Sequence, residues 1–408
     1  MKKLICILVI FSFALNVVEA QNWDVLNSGT SVNLFSVYFP GANTGYIAGD
    51  SGTVLKTTNG GSNWSRQTLL DTLVIPSNPC LYSVFFTSTN FGCATGASWP
   101  IFVTSNGGTT WGAGFENTNV MRLNSLYFTD ANHGYAVGDS YPSGDGIIEQ
   151  TTDGGIDWTH WIYLISKSLE SVFFPDAGTG YVAGDSGTIL KTTNGGSTYS
   201  FLSSGIKKNL YSVYFTDTAT GYTVGDSGTI LKTIDGGRNW VKQVSGTSSR
   251  LKSVFFAGAD TGYAAGWNGT ILVTTNGGTT WTSMVSGTSN CLNSVFFADG
   301  HTGYVAGDSG IILKTTNGGG DGISEISPSP TLLTIYPNPA KNKCEVQCAK
   351  CKIKCVEIFN LTGEKVYGAD FSSGTDDRVE VDFDLVAGVY FVKATNERGV
   401  EIGKLIIN

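Results

Sequence analysis

Leu210-Tyr211-Ser212-Val213-Tyr214-Phe215, then Gly221-Tyr222-Thr223-Val224-Gly225-Asp226-Ser227-Gly228, then Ile230-Leu231-Lys232-Thr233, Asp235-Gly236-Gly237 and Trp240 form one unit of a repeat. Val, Ile, Phe and Tyr give strand character, while Asp-Ser-Gly and Asp-Gly-Gly favour turns, so each apolar segment reads as one short strand. The serine of the first segment recurs at Ser36, Ser83, Ser125, Ser171, Ser212, Ser253 and Ser294, spaced by 47, 42, 46, 41, 41 and 41 residues. Seven units of this length, each with four strands, are the sequence signature of propeller blades. A small serine suits an inner strand crowded near the axis.

The ends of the array complement each other. The seventh unit stops at Asn317-Gly318-Gly319 with no Trp strand, whereas Trp23-Asp24-Val25 with Ser28-Gly29-Thr30 matches Trp240 with Ser245-Gly246-Thr247. The expected architecture is all-β: a seven-bladed β-propeller over residues 21–320, whose N-terminal strand completes the last blade and leaves no exposed edge at the join. An open β-solenoid, the alternative, would not need complementary ends.

Composition supports this reading. With 53 glycines in 408 residues and only 14% charged residues, long charged helices are not expected, while 41% hydrophobic and 12% aromatic residues suffice for a core. A net charge of -8 argues against a nucleic-acid partner, which requires clustered Lys and Arg. Lys2 and Lys3, the apolar run of residues 4–13 and Val18-Glu19-Ala20 read as a secretory signal peptide over residues 1–20, so the mature chain is expected to begin at Gln21. Cys6 lies inside the apolar run with no small-residue cleavage site before it, which argues against a lipid anchor. No later segment is long and apolar enough for a transmembrane helix.

The turn Thr57-Thr58-Asn59-Gly60-Gly61-Ser62-Asn63-Trp64, with Asp at the third position before Trp158 and Trp240, resembles the Asp-box of sialidase-like propellers. Residues 22–319 as a whole resemble exported propellers related to photosystem II assembly and stability factors, and more distantly the xyloglucan-hydrolase propellers. Turn chemistry accounts for the box by itself: Asn or Asp bonds its own backbone, Gly takes positive φ and the aromatic ring covers the turn. The box therefore marks a fold and no activity. Residues 321–331 read as a linker. Beyond it, Tyr336-Pro337-Asn338-Pro339, Val356-Glu357-Ile358-Phe359-Asn360-Leu361-Thr362-Gly363 and Gly388-Val389-Tyr390-Phe391-Val392-Lys393 resemble a type IX secretion sorting domain over residues 332–408. That resemblance implies a small Ig-like β-sandwich that engages the type IX secretion machinery and carries the chain through the periplasm, to be secreted or displayed at the outer-membrane surface.

Cys344, Cys348, Cys351 and Cys355 depart from the sorting-domain pattern. A hairpin turning at Ala349-Lys350 would set Cys348 opposite Cys351 and Cys344 opposite Cys355. Two disulfides are favoured in an exported chain, with free thiols or a zinc site as alternatives. Cys80, Cys93 and Cys291 are expected to be unpaired.

The propeller holds only Arg66, Arg122, Arg238 and Arg250, too few and too scattered for a sialidase carboxylate clamp. His133, His160 and His301 belong to no nucleophile motif. Departures from repetition say more. Glu149 stands in the column held elsewhere by Leu55, Phe102, Leu190, Leu231, Leu272 and Leu313, which makes it the chain's candidate catalytic acid. Extra residues around 69–79 and 141–146 rise from one face, where Trp99, Tyr141 and Trp267 would present aromatic area and Arg122 and Arg250 would border the channel mouth. The expected function is a secreted or cell-surface recognition propeller that binds a glycan or a protein on that face and needs no cofactor. Two alternatives stand beside it: a glycan hydrolase, which requires a second carboxylate facing Glu149 or a pair in the central cleft, and a structural surface component.

Overall fold

The computed structural model describes residues 23–69, 79–97, 100–116, 120–140, 143–162, 166–318, 333–348, 352–360, 364–371, 377–396 and 399–408. The chain divides into two compact units between Gly322 and Ile323. Strands dominate both. Helix among the described residues is limited to single 3-10 turns at Asp185–Gly187, Asp226–Gly228 and Asp308–Gly310.

The first unit consists of seven antiparallel sheets, numbered here by the chain order of their inner strands. The fifth is representative, running outward from Leu210–Phe215 through Gly221–Gly225 and Thr229–Thr233 to Val241–Lys242. Glycine opens the second strand because the ring of the preceding Phe lies over it. A Cβ on Gly221 would fall 2.4 Å from Phe215, and Gly180, Gly262 and Gly303 are held in the same way. Between adjacent sheets, Tyr and Phe rings stack face to face, as in Tyr181–Phe215 and Tyr46–Phe86 at 3.7 Å, and in most of these pairs a Trp edge packs on the Phe, as in Phe86–Trp111.

Two further features repeat in all seven sheets. The inner strand bulges by one residue just before its serine, between Leu34 and Ser36, Leu81 and Ser83, Leu123 and Ser125, Leu169 and Ser171, Leu210 and Ser212, Leu251 and Ser253, and Leu292 and Ser294. Each serine hydroxyl then accepts a hydrogen bond from a backbone N–H on the next inner strand. The Val84 N–H donates to Ser36, Leu126 to Ser83, Val172 to Ser125, Val213 to Ser171, Val254 to Ser212 and Val295 to Ser253, all at 3.1–3.3 Å. Val37 completes the circle by donating to Ser294 at 3.2 Å across 257 residues of chain.

The N-terminal strand contributes to the same join. Asp24–Leu26 pairs antiparallel with Ile312–Thr315 as the outermost strand of the seventh sheet. Trp23 is fully buried and meets Phe297 edge to face at 6.0 Å. A second strap follows the first sheet: Thr68–Leu69 adds in parallel to Thr110–Glu116 of the second.

The second unit has a three-stranded sheet, ordered Leu333–Tyr336, Lys343–Cys348, Arg378–Asp382, and a four-stranded sheet, ordered Lys365–Asp370, Ile353–Phe359, Gly388–Asn396, Gly399–Ile407. Both contribute to one core that includes Val346, Val381, Val356, Ile358, Val392 and Leu405. Strand alternation produces it, since Arg378–Asp382 buries only Val379 and Val381.

This arrangement corrects the cysteine expectation. Lys343–Cys348 and Ile353–Phe359 belong to different sheets and do not pair with each other, so Cys344 and Cys355 are not set opposite one another across a ladder. Cys344 lies opposite Val381, and Cys355 opposite Asp370 and Thr395. Both are free thiols, whereas Cys348 is disulfide-bonded. Cys351, its expected partner, lies outside the described residues. Cys80, Cys93 and Cys291 are also free.

Truncating residues 21–31 removes the strand that completes the seventh sheet, and we expect the unfolding free energy to fall by several kcal/mol, on the scale of losing a buried Trp and its neighbouring strand. Unchanged thermal unfolding of the truncated chain would show that the ring closes by other means. In the second unit, burial pushes the Cys344 thiol up to about 11. Mass mapping of the folded chain without reductant should therefore find Cys344 unalkylated yet not disulfide-linked, becoming alkylated once the chain is unfolded, with Cys348 in a disulfide.

Candidate functional site

A bulge leaves one residue of the inner strand without a partner across the ladder and turns its side chain out of the sheet. In this ring the seven bulged residues all line one central cavity of about 370 Å³. They fall into several chemical classes. Phe35, Tyr82 and Tyr211 are aromatic, Asn124 and Asn293 carry amides, and Glu170 and Lys252 are charged. The leucines and serines on either side repeat unchanged. Two further elements supply lining: the segment before the inner strand, with Arg250, and the connection from second to third strand, with Trp267 and Asp308.

Charge is distributed unevenly around the cavity. Arg122 bonds Asp139 through Nε at 2.8 Å and approaches Glu170 at 3.8 Å. Ser168 bridges the group, accepting from Arg122 and from Asn124 and donating to Glu170 Oε1 at 3.1 Å. Burial raises the Glu170 carboxyl above its ordinary value, and the attraction of Arg122 and Lys252 only partly offsets it. On the far side, Arg250 bonds Asp226 at 2.6 Å, and its guanidinium lies 4.2 Å from the Trp267 ring centre and 5.1 Å from that of Tyr211. Lys252 Nζ stands 4.1 Å from the Tyr211 ring centre, and burial lowers its ammonium pKa while Glu170 pulls the other way. Asn293 donates to Asp308 Oδ1 and to the Leu34 carbonyl.

Arg122, Arg250 and Trp267 are thus brought to one site, with Trp267 40% exposed. Trp99 and Tyr141 lie outside the described residues. Glu149 is not part of it. Its side chain is fully buried in the third strand of the third sheet, Gly146–Thr151, and it is absent from the cavity lining. A fully buried carboxyl that does not line the cavity is not placed to act there as a catalytic acid. The bulged column itself escapes an inspection that looks for repetition. Its signal is the reverse, a single position that changes chemistry in nearly every copy between two positions that do not change.

The Asn-Gly-Gly and Asp-Gly-Gly turns do a different job. Thr57 Oγ1 accepts from the Gly61 N–H and Asn59 Oδ1 from the Asn63 N–H, which folds the turn on itself. The Gly60 carbonyl left over accepts from Tyr304 and Lys314 of the neighbouring seventh sheet. Equivalent bonds run from Tyr46 and Lys56 to Gly107, from Tyr181 and Lys191 to Gly236, and from Tyr222 and Lys232 to Gly277. These turns hold one sheet to the next.

Residues 15–112, 200–285 and 246–332, together more than half of the chain, match the family model described as photosynthesis system II assembly factor YCF48. The chain belongs to that family. Its residues 334–408 match the secretion system C-terminal sorting domain, so this YCF48-like propeller is an exported protein, secreted or held at the cell surface. YCF48 from Cyanidioschyzon merolae is similar in structure at 19% identity and a TM-score of 0.59, over 72% of this chain and 98% of that one. A structure described as YCF48 bound to D1 peptide aligns at 18% identity and a TM-score of 0.61, over 72% and 97%. The WD40 β-propeller domain of Doa1 aligns at 12% identity and a TM-score of 0.58, over 71% and 95%. The likeness to these chains shows an all-β, propeller-like fold. No curated protein matches the chain.

Because burial raises the Glu170 carboxyl, the folded chain binds its proton more tightly than the unfolded chain does, and stability falls as pH rises from the ordinary value of 4.5 into the raised range. Glu170→Gln should accordingly raise the melting temperature at neutral pH, with the gain disappearing below pH 4.5. A Gln variant less stable than the parent at neutral pH would show that the bond to Ser168 and the charge of Arg122 outweigh desolvation.

Proposed function

We propose that this protein is a recognition module: a closed seven-bladed β-propeller over residues 21–320, joined by the linker 321–331 to an Ig-like β-sandwich over residues 332–408 that engages the type IX secretion machinery. The propeller is then released or displayed at the outer-membrane surface, where it takes a ligand into its central cavity. The observation that carries this reading is the contrast between a ring built from near-identical parts and a cavity lined by seven bulged residues of differing chemistry. A structural surface component would have no use for that difference.

The description of a related propeller with a bound D1 peptide supports a recognition role. So does the state of the carboxyl groups lining the cavity. Glu170 is held by Ser168 and Arg122, and Asp308 by Asn293, which suits groups that bind rather than exchange protons with a substrate. Trp267, Arg122 and Arg250 are assigned as ligand contacts, and the assignment of Trp99 and Tyr141 to the same role rests on the sequence alone.

In a binding screen of the mature chain against glycan and peptide arrays, Trp267→Ala should weaken captured ligands by roughly 1–3 kcal/mol without unfolding the protein, because a few aromatic anchors dominate recognition. Trp240→Ala, which removes an edge-to-face contact with Phe215, should lower stability and spare affinity in the folded fraction. Equal loss of affinity from both would place the ligand elsewhere.

A further inference from the structure

Among the described residues, the cavity's three cations are not equivalent. Arg122 and Arg250 are neutralised by Asp139 and Asp226, whereas Lys252 has no ion pair and no hydrogen bond. Its ammonium rests against the Tyr211 ring, half-buried, at the level of the bulged column. The neutral polar groups around it are acceptors in want of donors. Asn124 and Asn293 spend their NH₂ groups on Leu169 and Leu34 carbonyls and on neighbouring side chains, which leaves both amide oxygens without a bound donor. Glu170 uses Oε1 for Ser168, and Oε2 accepts nothing. A Phe35–Tyr82 pair with ring centres 5.3 Å apart supplies apolar wall, and the rim adds the exposed part of Trp267.

A complementary ligand must bring one negative charge, several O–H donors and a ring with an apolar face. A dianion such as phosphate meets a single unneutralised cation with Glu170 and Asp308 close by, which disfavours it. An acidic peptide brings a carbonyl acceptor for every amide donor, so it offers the oxygens of Asn124, Asn293 and Glu170 fewer donors than a polyhydroxylated ligand does. A sugar acid satisfies all three requirements, and about 370 Å³ falls within the usual range for small-ligand sites.

We propose that the central cavity binds a uronic-acid residue of an oligosaccharide, with the sugar carboxylate on Lys252, its hydroxyls donating to Asn124, Asn293 and Glu170, and its ring against the aromatic wall. This rests on the recognition role proposed above and names its ligand class.

Calorimetric titration of the mature chain with trimers of galacturonate, glucuronate and mannuronate, and with their methyl esters, tests it. At least one trimer should bind, and its ester, which keeps the rings and hydroxyls but loses the charge, should bind at least tenfold more weakly. Lys252→Gln should bring the acid down to the affinity of its ester and leave the ester unchanged, while Lys252→Arg should restore most of the difference. Circular dichroism and melting of both variants confirm that they are folded. Equal binding of acid and ester, or equal loss of both in Lys252→Gln, overturns the assignment of Lys252. Binding of a glutamate-rich peptide sensitive to Trp267→Ala, with no uronate binding, overturns the ligand class and leaves the recognition role standing. If no glycan or peptide of either kind binds in a manner sensitive to Trp267→Ala, the recognition role falls as well.

Discussion

One hydrogen bond, repeated seven times, organises the propeller unit: a backbone N–H on each inner strand donates to the serine hydroxyl of the strand before it. Serine is small enough for the crowded inner edge and offers an acceptor without adding a competing charge. Taken singly such a bond contributes about 1 kcal/mol. Its importance lies in closure. An array of sheets joined only to their chain neighbours could end anywhere, but the Val37 N–H finds Ser294, and the strand carrying Asp24–Leu26 finds Ile312–Thr315, so first and last sheets become neighbours in space. Loop closure over so long a stretch costs entropy that rises only slowly with length, and the contacts at the join have to exceed it.

Most of this was legible in the primary structure because it is periodic. The strands follow from the Leu-x-Ser-Val segments, and the ring closure from Trp23 and the truncated seventh copy. What could not be read there depended on where the chain goes between strands. The spacing of Cys344, Cys348, Cys351 and Cys355 fits a hairpin as well as it fits a crossing, and only the allocation of Lys343–Cys348 and Ile353–Phe359 to separate sheets decides the matter. Glu149 drew notice as a charge in an apolar column, yet that column lies between sheets and away from the channel. Glu170 and Lys252 carry no such mark in the sequence, since an ordinary polar residue at this position gains its meaning only from the six others that the ring brings beside it.

The Asp-box side and the cavity side also differ in how they tolerate change. Around the Gly-Gly turns the bonds are numerous and directed at backbone carbonyls, but one seam is sparse. Cys93 stands where other copies have tyrosine, and Val103 stands where most have lysine, so among the described residues the Gly154 carbonyl receives neither bond. Cys93 is fully buried there, and burial pushes its thiol up to about 12, which keeps it a small apolar filler. The boundary between second and third sheets relies instead on the serine bond from Leu126, on the Ala97–Arg122 bridge, on a shared buried cluster that includes Ile101 and Leu126, and on ring packing of Phe85 on Phe128 and Tyr127.

The bulge has a consequence for how such a protein diverges. A residue that pairs across a ladder or packs between sheets is constrained by its neighbours, and changing it demands compensation elsewhere. The bulged residue is released from the ladder, and its side chain faces the channel instead of the interior. These seven positions are thus freed from the pairing constraint of the ladder, and what ties them to the scaffold is side-chain bonding alone, as from Glu170 to Ser168, from Asn124 to the Leu169 carbonyl and from Asn293 to Asp308. Within a single strand the ring thus sets a residue that faces the channel between a leucine buried in the core and a serine that bonds the next sheet.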